Sequence, residues 1–452
     1  MNYKLFLLLL MVVLFTACGE DNTESSDNNK THTVINNNDG DAVILCQENQ
    51  KNSKLFNENT QDTFQVSSMD NIKLLVQNTP TPIKSLPFDK KGLYQLFTTE
   101  YYWASLISKD FDYSTYSSPQ SLIDKLRYRQ DLWSFATTVS SYNSVISQKS
   151  VGVGIICQEY ETGCLITYVR LDSPADRIDL RRGDIITKID GSVATKELFY
   201  EEAQKQKRLD LELIRAKGNY LCKGSITPKE YIYKVAEGKI VKTPKNQNIA
   251  YLRLDSFLGE ATIEEQINDA FNMFKKNDSR KLIIDLRYNG GGSVDLASNF
   301  LNKLTINHLE DEQFTLAWNS NYQQNNNIYR FKKSSNALDL EQIIFLTTQN
   351  SASASELVIS AMKPYLPESD VVIIGDRTHG KPVGMEGRSD GNYYFFLINF
   401  VVKNALGFYD YFEGLPVTEG CNVADDPFHE MGDPNESMLK TALYYIDNGS
   451  CK

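Results

Sequence analysis

The sequence lacks a basic block, a long internal apolar run and a metal-binding motif. It has 452 residues, a formal net charge of −11 and only four histidines. The absence of a basic block argues against nucleic acid as a partner. No internal run approaches the roughly 20 apolar residues of a membrane span. No HExxH pattern or zinc-type Cys/His spacing occurs, so we expect neither a metal nor another cofactor.

The first 40 residues are unlike the rest and predict export. An apolar run from Leu5 to Phe15 leads to Cys18, which is typical of a secretory signal over residues 1–17. The "FTAC" stretch resembles the lipobox of bacterial lipoproteins, which implies a lipid on Cys18; a plain signal peptide is the alternative. Residues 18–40 are acidic and Asn-rich, as expected of a disordered tether. We therefore expect an exported protein, lipid-anchored in the bacterial cell envelope, facing the periplasm or the outside.

Six further cysteines are compatible with disulfides in an exported protein. They are Cys46, Cys157, Cys164, Cys222, Cys421 and Cys451. Cys157 and Cys164 flank a possible turn, and Cys421 and Cys451 bracket the last predicted helix. Six cysteines allow 15 pairings, so both pairs are hypotheses, and buried free thiols are the alternative for the first.

An uncertain stretch at 41–84 precedes a region with helical spacing at 85–147. The apolar positions of "LYQLFTTEYYWASLI" fall on one helical face. They are Leu93, Leu96, Phe97, Tyr101 and Ala104. Ser118 and Pro119 fit the N-cap and first position of another helix. The pattern predicts a small N-terminal helical domain whose aromatic residues form its core.

Residues 148–217 predict a small β domain that resembles a PDZ domain. The order is strand, turn, strand, short helix, strand, helix, strand, and "SPADRIDLRRGD" and "ITKIDG" match the PDZ pattern. The loop "GVGI" comprises Gly152, Val153, Gly154 and Ile155. In such domains a peptide adds a strand to the sheet edge and the loop N–H groups bind its carboxylate. The alternative is a domain of this fold that only packs against its neighbour.

From residue 218 to 452 apolar strands alternate with helices, which predicts an α/β core with a largely parallel sheet. Reactive groups of such cores cluster beyond the carboxyl ends of the strands. Three strand ends here carry unusual residues: "DLRYNGGG" at Asp285–Gly292, "SASASE" around Ser353, and "GDRTHGKPVG" with Lys381.

Each of these three motifs also has a plain structural explanation. A glycine turn shapes a strand–helix connection, Ser353 and Glu356 have the spacing of a capping box, and a loop lysine is ordinarily solvated. A catalytic explanation needs all three together. The free N–H groups of a helix start favour an alkoxide at Ser353, and a buried Lys381 could act as its base.

The ordered set of motifs, after a PDZ-like region, resembles the carboxyl-terminal processing (tail-specific) peptidases, a serine peptidase family with a serine–lysine dyad. The resemblance implies Ser353 as nucleophile, Lys381 as base, and the N–H groups of Ala354 and of Gly290 or Gly291 as oxyanion hole. It also implies a ClpP/crotonase-like α/β core with a mixed sheet and polypeptide substrates captured by the PDZ domain.

One position departs from the family pattern. Many members carry glutamine four residues after the lysine, where this sequence has Met385. Either Asn289, Asp376 or Thr378 substitutes for it, or no third group is used. His379 is a rival base, and a catalytically inactive peptide- or glycan-binding lipoprotein is a rival function.

Overall fold

The computed structural model describes residues 43–48, 86–147, 149–215, 219–259 and 261–451. The predicted signal peptide, the lipidation site Cys18 and the tether lie outside these residues. None of the helices formed within the described ranges is long and apolar enough to cross a lipid bilayer.

Among the described residues, the N-terminal part forms three α-helices, a 3₁₀ helix at Ala104–Leu106 and two short strands. These are β1 (Leu45–Glu48), α1 (Lys90–Thr99), α2 (Pro119–Leu126), β2 (Phe135–Thr138) and α3 (Val139–Ile146). Ser118 caps α2 by accepting the N–H of Ser121, and Pro119 is its first residue, as predicted. Helix α1 ends at Thr99, before Tyr101 and Ala104. The N–H of Tyr102 instead donates to the carbonyl of Ile398, which draws the chain onto a sheet.

The small β domain follows, and it has more strands than the sequence predicted. They are β3 (Lys149–Gly152), β4 (Ile155–Tyr160), β5 (Gly163–Val169), α4 (Pro174–Arg177), β6 (Ile185–Ile189), β7 (Ser192–Val193), α5 (Lys196–Gln204), β8 (Leu209–Arg215), β9 (Tyr220–Ile226) and β10 (Lys229–Ile232).

One sheet of this domain has the order β1-β9-β8-β6-β5-β4, with β7 paired to β6, and β10 pairs with β3. Strand β9 pairs with β8 over seven residues, so the sheet continues beyond residue 217, where the sequence placed the boundary. Strand β1, from the uncertain stretch, adds to β9 with Cys46 opposite Cys222.

The α/β core contains the remaining elements. They are β11 (Ala236–Lys242), β12 (Asn248–Leu254), α6 (Ala261–Lys276), β13 (Lys281–Asp285), α7 (Val294–Leu301), β14 (Glu312–Trp318), β15 (Asn327–Arg330), β16 (Gln342–Thr347), α8 (Ala354–Met362), β17 (Val371–Gly375), β18 (Val383–Ser389), β19 (Tyr393–Asn404) and α9 (Ser437–Asn448).

This core has two sheets, one parallel and one antiparallel. In the first, of order β11-β12-β13-β16-β17, the strands β12, β13, β16 and β17 are parallel and only β11 is antiparallel. The second has the order β15-β14-β19-β18, with β2 added to β19, and is antiparallel throughout. The expected parallel sheet is therefore present, and the core as a whole is mixed.

Helices cover both faces of the parallel sheet. Residues of α6, α7 and α8 share one apolar cluster with its strands, and α9 packs on the other face. The antiparallel sheet packs against α1 and α2, where Phe97 and Leu122 are fully buried beside Leu397. Burying each such side chain contributes about 1.5–3 kcal/mol, so the N-terminal helices are part of the core's packing.

Three disulfides cross-link the described residues. Cys157–Cys164 and Cys421–Cys451 are the two pairs that the sequence suggested, and Cys46–Cys222 ties β1 to β9 across 176 residues of sequence. Closing long loops restricts the unfolded chain and so stabilises the folded one.

Candidate active site

Three neighbouring strands of the parallel sheet bring the three motifs together. Strands β13, β16 and β17 lie side by side, and their registers place Asp285 opposite Leu346 and Thr347 opposite Gly375. The turns that follow them therefore leave the same edge of the sheet, as expected for an α/β core.

The three alternating serines differ in what their hydroxyls do. The hydroxyl of Ser351 donates to the carbonyl of Leu286, and that of Ser355 donates to the carbonyl of Asn289. Both residues are fully buried, whereas Ser353 is half-buried. Ser351 and Ser355 therefore join the turn after β16 to the turn after β13, and Ser353 alone of the three faces accessible space.

The backbone of Ser353 is strained. Its φ of 57° and ψ of −113° differ from the extended conformation usual for an N-cap. A non-glycine residue in such a conformation costs on the order of 1–3 kcal/mol, and such strain concentrates at functional sites. A residue that only caps α8 would not need it.

Gly291 is packed directly against the Ser353 turn. Its φ is +100°, and a Cβ at this position would lie 2.8 Å from Cβ of Ser353 and 2.9 Å from N of Ala354. The glycine run after β13 is thus required by close approach to Ser353, in addition to any need of the strand–helix turn.

A single buried carboxylate connects Ser353 to the Lys381 loop. Oε2 of Glu356 accepts the N–H of Ser353 (2.9 Å) and of Lys381 (2.8 Å). Oε1 accepts the N–H of Gly380 and the hydroxyl of Thr378, both at 2.6 Å. Burial raises the pKa of Glu356, and these four hydrogen bonds oppose that rise. The sequence identified Glu356 only as half of a capping box; its link to Lys381 was missed.

Lys381 has the properties that a general base needs. Burial around its amine lowers the pKa to about 8, although the carboxylates of Asp131 and Glu356 favour the charged form. The residue as a whole keeps part of its surface accessible. The amine is then partly neutral near physiological pH, which an ordinary lysine is not.

Both ring nitrogens of His379, the rival base, already have partners. Nε2 lies 3.0 Å from the indole nitrogen of Trp133 and accepts its N–H, and Nδ1 lies 3.3 Å from the carbonyl of Gln349. Burial lowers its pKa as well. The ring therefore acts as a structural link and has no free nitrogen for the Ser353 proton.

The proposed substitutes for the missing glutamine are also engaged elsewhere. The amide of Asn289 donates to Leu254 and accepts the N–H of Gly291, and the hydroxyl of Thr378 donates to Glu356. A carboxylate oxygen of Asp376 accepts the N–H of Arg377. Met385 lies on β18 and packs against the cluster formed by α1, α2 and the antiparallel sheet.

The two glycines considered for the oxyanion hole differ. The N–H of Gly291 donates to Oδ1 of Asn289 at 2.9 Å, while Gly290 is exposed. Ala354 is the first residue of α8, so its N–H belongs to the unpaired first turn of the helix. The N–H of Gly291 is therefore already engaged, whereas that of Ala354 lies at the start of the helix.

The loop Gly152–Ile155 joins β3 to β4, which lies at the edge of the small β domain. Gly154 has a φ of +87°, and a Cβ there would lie 2.2 Å from Cβ of Ser173. The carbonyl of Val153 accepts the N–H of Ala175, so the start of α4 fixes the loop. The hydroxyl of Tyr200 on α5 accepts the N–H of Cys157 on the edge strand at 3.4 Å.

A buried charge cluster joins the small β domain to the core and was not foreseen from the sequence. Arg287 pairs with Asp285, Asp425 and Glu436, and Arg182 of the small β domain also pairs with Asp425. Burial would lower the pKa of Arg287, but the three carboxylates raise it well above its ordinary value. A sequence signal for this cluster was present in "DLRYNGGG", where Asp285 and Arg287 follow the apolar residues of the strand.

Comparison with known proteins finds a family match that covers the candidate site. Residues 248–391, which include all three motifs, match the profile of Peptidase family S41. A "Probable CtpA-like serine protease" of Staphylococcus aureus is 25% identical over 305 residues, covering 65% of this chain and 56% of the relative. The Staphylococcus haemolyticus protein of the same name is 28% identical over 250 residues, covering 54% and 47%. The chain thus matches about half the length of these curated relatives.

The fold also has a solved counterpart. A Bacteroides fragilis protein named as an S41 protease superimposes with a TM-score of 0.70 at 20% identity, covering 81% of this chain and 99% of that chain. At this identity the similarity concerns the fold, a mixed α/β architecture.

Proposed function

We propose that this chain is a serine endopeptidase of the carboxyl-terminal processing type, with Ser353 as nucleophile and Lys381 as general base. The match of residues 248–391 to the profile of peptidase family S41 supports the proposal. The observation that carries the proposal is the carboxylate of Glu356, which holds the backbone of both residues at one sheet edge. Polypeptides are the expected substrates.

In the first step Oγ of Ser353 attacks the peptide carbonyl carbon while Nζ of Lys381 takes the hydroxyl proton. A neutral amine is required, and burial favours that form by lowering the pKa of Lys381 to about 8. The carbonyl oxygen becomes an oxyanion, for which the N–H groups of Ala354 and Gly290 are the proposed donors. Each such donor contributes about 3–4 kcal/mol of transition-state stabilisation.

In the second step the C–N bond breaks and the ammonium of Lys381 returns its proton to the leaving amine. Water then attacks the acyl–Ser353 ester while Lys381 accepts one of its protons. The ester C–O bond breaks and Lys381 returns that proton to Oγ of Ser353, which releases the new carboxyl end and restores the hydroxyl. The dyad needs no cofactor for this cycle.

For substrate capture, the small β domain offers an edge strand, β4, beside α5. We propose that the tail of a substrate adds to β4 as a further strand and that the loop Gly152, Val153, Gly154 and Ile155 receives its carboxylate. The hydroxyl of Tyr200 contacts the same edge at Cys157, so a docking peptide has to displace it.

Export and lipid attachment at Cys18 remain part of the proposal. Three disulfides among the described residues suit an oxidising compartment. The sequence around Cys18 suits a lipid anchor in the bacterial cell envelope.

A catalytically inactive peptide- or glycan-binding lipoprotein is the second candidate, favoured by Met385 at the glutamine position. The two candidates differ in one property. An enzyme reacts with a serine-directed fluorophosphonate at Ser353, whereas an inactive relative stays unlabelled.

The direct test is digestion of an unfolded polypeptide, such as reduced casein, by the wild type, Ser353→Ala and Lys381→Ala. Mass spectrometry of the products reports new carboxyl termini. We expect them with the wild type and in neither variant. Equal cleavage by wild type and both variants, or no cleavage by any, would contradict the proposal.

A further inference from the structure

The loop that carries Lys381 is contacted by a segment far away in the sequence, residues 131–134, which we call the DLWS segment. We propose that two of its residues, Asp131 and Trp133, are positioning residues for Lys381 and supply from the N-terminal region what Met385 does not. The inference rests on the proposed function and names further residues that serve the same site.

Trp133 holds the Lys381 loop by its indole. Its N–H donates to Nε2 of His379 at 3.0 Å across 246 residues of sequence. Its ring also lies 6.3 Å from that of Phe412, whose carbonyl would be 2.3 Å from a Cβ at Gly380. His379 and Gly380 immediately precede Lys381, so Trp133 restrains the loop directly next to the base.

Asp131 is fully buried, and its carboxylate accepts every side-chain hydrogen bond that the residue makes. Its donors are the N–H groups of Trp133 and Ser134 and the hydroxyls of Tyr101 and Ser134. The two hydroxyls themselves accept backbone N–H groups, from Tyr128 and Ile398. Each hydroxyl must therefore point its proton at Asp131, which is the arrangement of an ionised carboxylate.

The charge of Asp131 reaches Lys381. It is one of two carboxylates that favour the ammonium form, the other being Glu356, while burial favours the neutral amine. His379 is a further ionisable neighbour, and Lys381 disfavours its protonation. Asp131 thus keeps the amine basic enough to accept the serine proton and return it to the leaving group, which works best near the operating pH.

The two residues should act on Lys381 in opposite directions. Asp131→Asn removes a negative charge, so the ammonium is less favoured and Lys381 should titrate at lower pH. Trp133→Phe keeps an aromatic ring but frees His379 and loosens the loop. Water then reaches the amine, and Lys381 should titrate at higher pH, toward the ordinary value near 10.4.

The experiment is a titration of the full exported chain labelled with ¹³C-lysine. The Lys381 signal is assigned by its loss in Lys381→Met, and kcat/KM for casein is measured over the same pH range. We expect the midpoint to fall by about one unit in Asp131→Asn and to rise by about one unit in Trp133→Phe. The rising limb of kcat/KM should move with each. Glu413→Gln removes a charge from an exposed residue whose carbonyl accepts a hydrogen bond from Arg377 of the same loop. It serves as the matched control and should leave the midpoint in place.

The outcomes separate this inference from the proposed function. Unchanged midpoints in both variants, or shifts in the same direction, overturn the positioning roles even if Ser353-dependent cleavage is intact. If casein is not cleaved at all, the proposed function fails, and the NMR midpoints still decide whether Asp131 and Trp133 set the state of Lys381. Should Asp131→Asn not fold, an upward shift in Trp133→Phe supports the inference and an unchanged midpoint overturns it.

Discussion

Arg287 and Lys381 are two buried cations that follow neighbouring parts of one sheet edge, and they differ in their partners. Arg287 is ion-paired with Asp285, Asp425 and Glu436, which raise its pKa well above the ordinary value despite burial. For Lys381, the carboxylates of Asp131 and Glu356 offset only part of the effect of burial, so its pKa falls to about 8. Arg287, which stays charged, is fully paired with carboxylates. Lys381, the proposed base, is incompletely paired, which suits an amine that exchanges a proton.

The largest effects should come from replacing each cation with methionine. Lys381→Met removes the base and should lower kcat/KM by about 10⁴-fold or more, with stability unchanged or raised because an incompletely paired amine leaves the interior. Arg287→Met strands three carboxylates and should cost about 3–5 kcal/mol of unfolding free energy.

Urea unfolding and casein cleavage measure these two effects on the same proteins. The comparison would be broken if Lys381→Met were the unstable variant, or if Arg287→Met were as stable as the wild type.

The next effect concerns the carboxylate that joins Ser353 to the Lys381 loop. Glu356→Gln replaces one acceptor oxygen by an NH₂ group, which then faces a donor. We expect a loss of about 1–3 kcal/mol of stability and a roughly hundredfold fall in kcat because Ser353 and Lys381 lose their common support. Steady-state kinetics with thermal unfolding would show this; a loss of stability with unchanged kcat per folded molecule would contradict it.

Substitution of Gly291 should have a smaller effect, and Gly420 offers a matched control. Gly291→Ala places a methyl group 2.8 Å from Cβ of Ser353 at a φ of +100°, and kcat should fall by about tenfold. Gly420→Ala introduces similar backbone strain, at a φ of +75°, with no atom within 4 Å of the new Cβ. It should lose about 1 kcal/mol of stability with kcat unchanged. Equal kinetic losses in both variants would remove the steric argument.

The smallest effect is the pH dependence of stability. The pKa of Lys381 is lower in the folded chain than its ordinary value of 10.5, so between pH 8 and 10.5 the unfolded chain binds more protons. The contribution of this group to stability should therefore rise with pH across that window. We expect the urea midpoint to depend on pH with different slopes in the wild type and Lys381→Met. If Lys381 titrates normally, the two midpoints will change with pH in parallel.

The site residues that could be predicted from sequence are those with local signals. Ser353 stands between an apolar strand and an apolar helix, and Lys381 follows a strand in a glycine-flanked loop, so three to ten neighbouring residues are enough to place them. The strands β12, β13, β16 and β17 were predictable for the same reason, because their apolar runs are continuous.

What the sequence could not provide were contacts between distant segments. The hydrogen bond of Trp133 to His379 spans 246 residues, and that of Glu356 to the Lys381 loop crosses between two strand ends. No periodicity reports such pairings. The hydrogen bond from the N–H of Gly291 to Asn289 likewise depends on one side-chain rotamer within the turn.

The rate of fluorophosphonate labelling at Ser353 as a function of pH tests the central claim most directly. The account predicts a rate that rises with a midpoint near pH 8 in the wild type and is slow and flat in Lys381→Met. A wild-type profile without that rise, or one with a midpoint below 6.5 that survives in Lys381→Met, would contradict the role of Lys381 as the base.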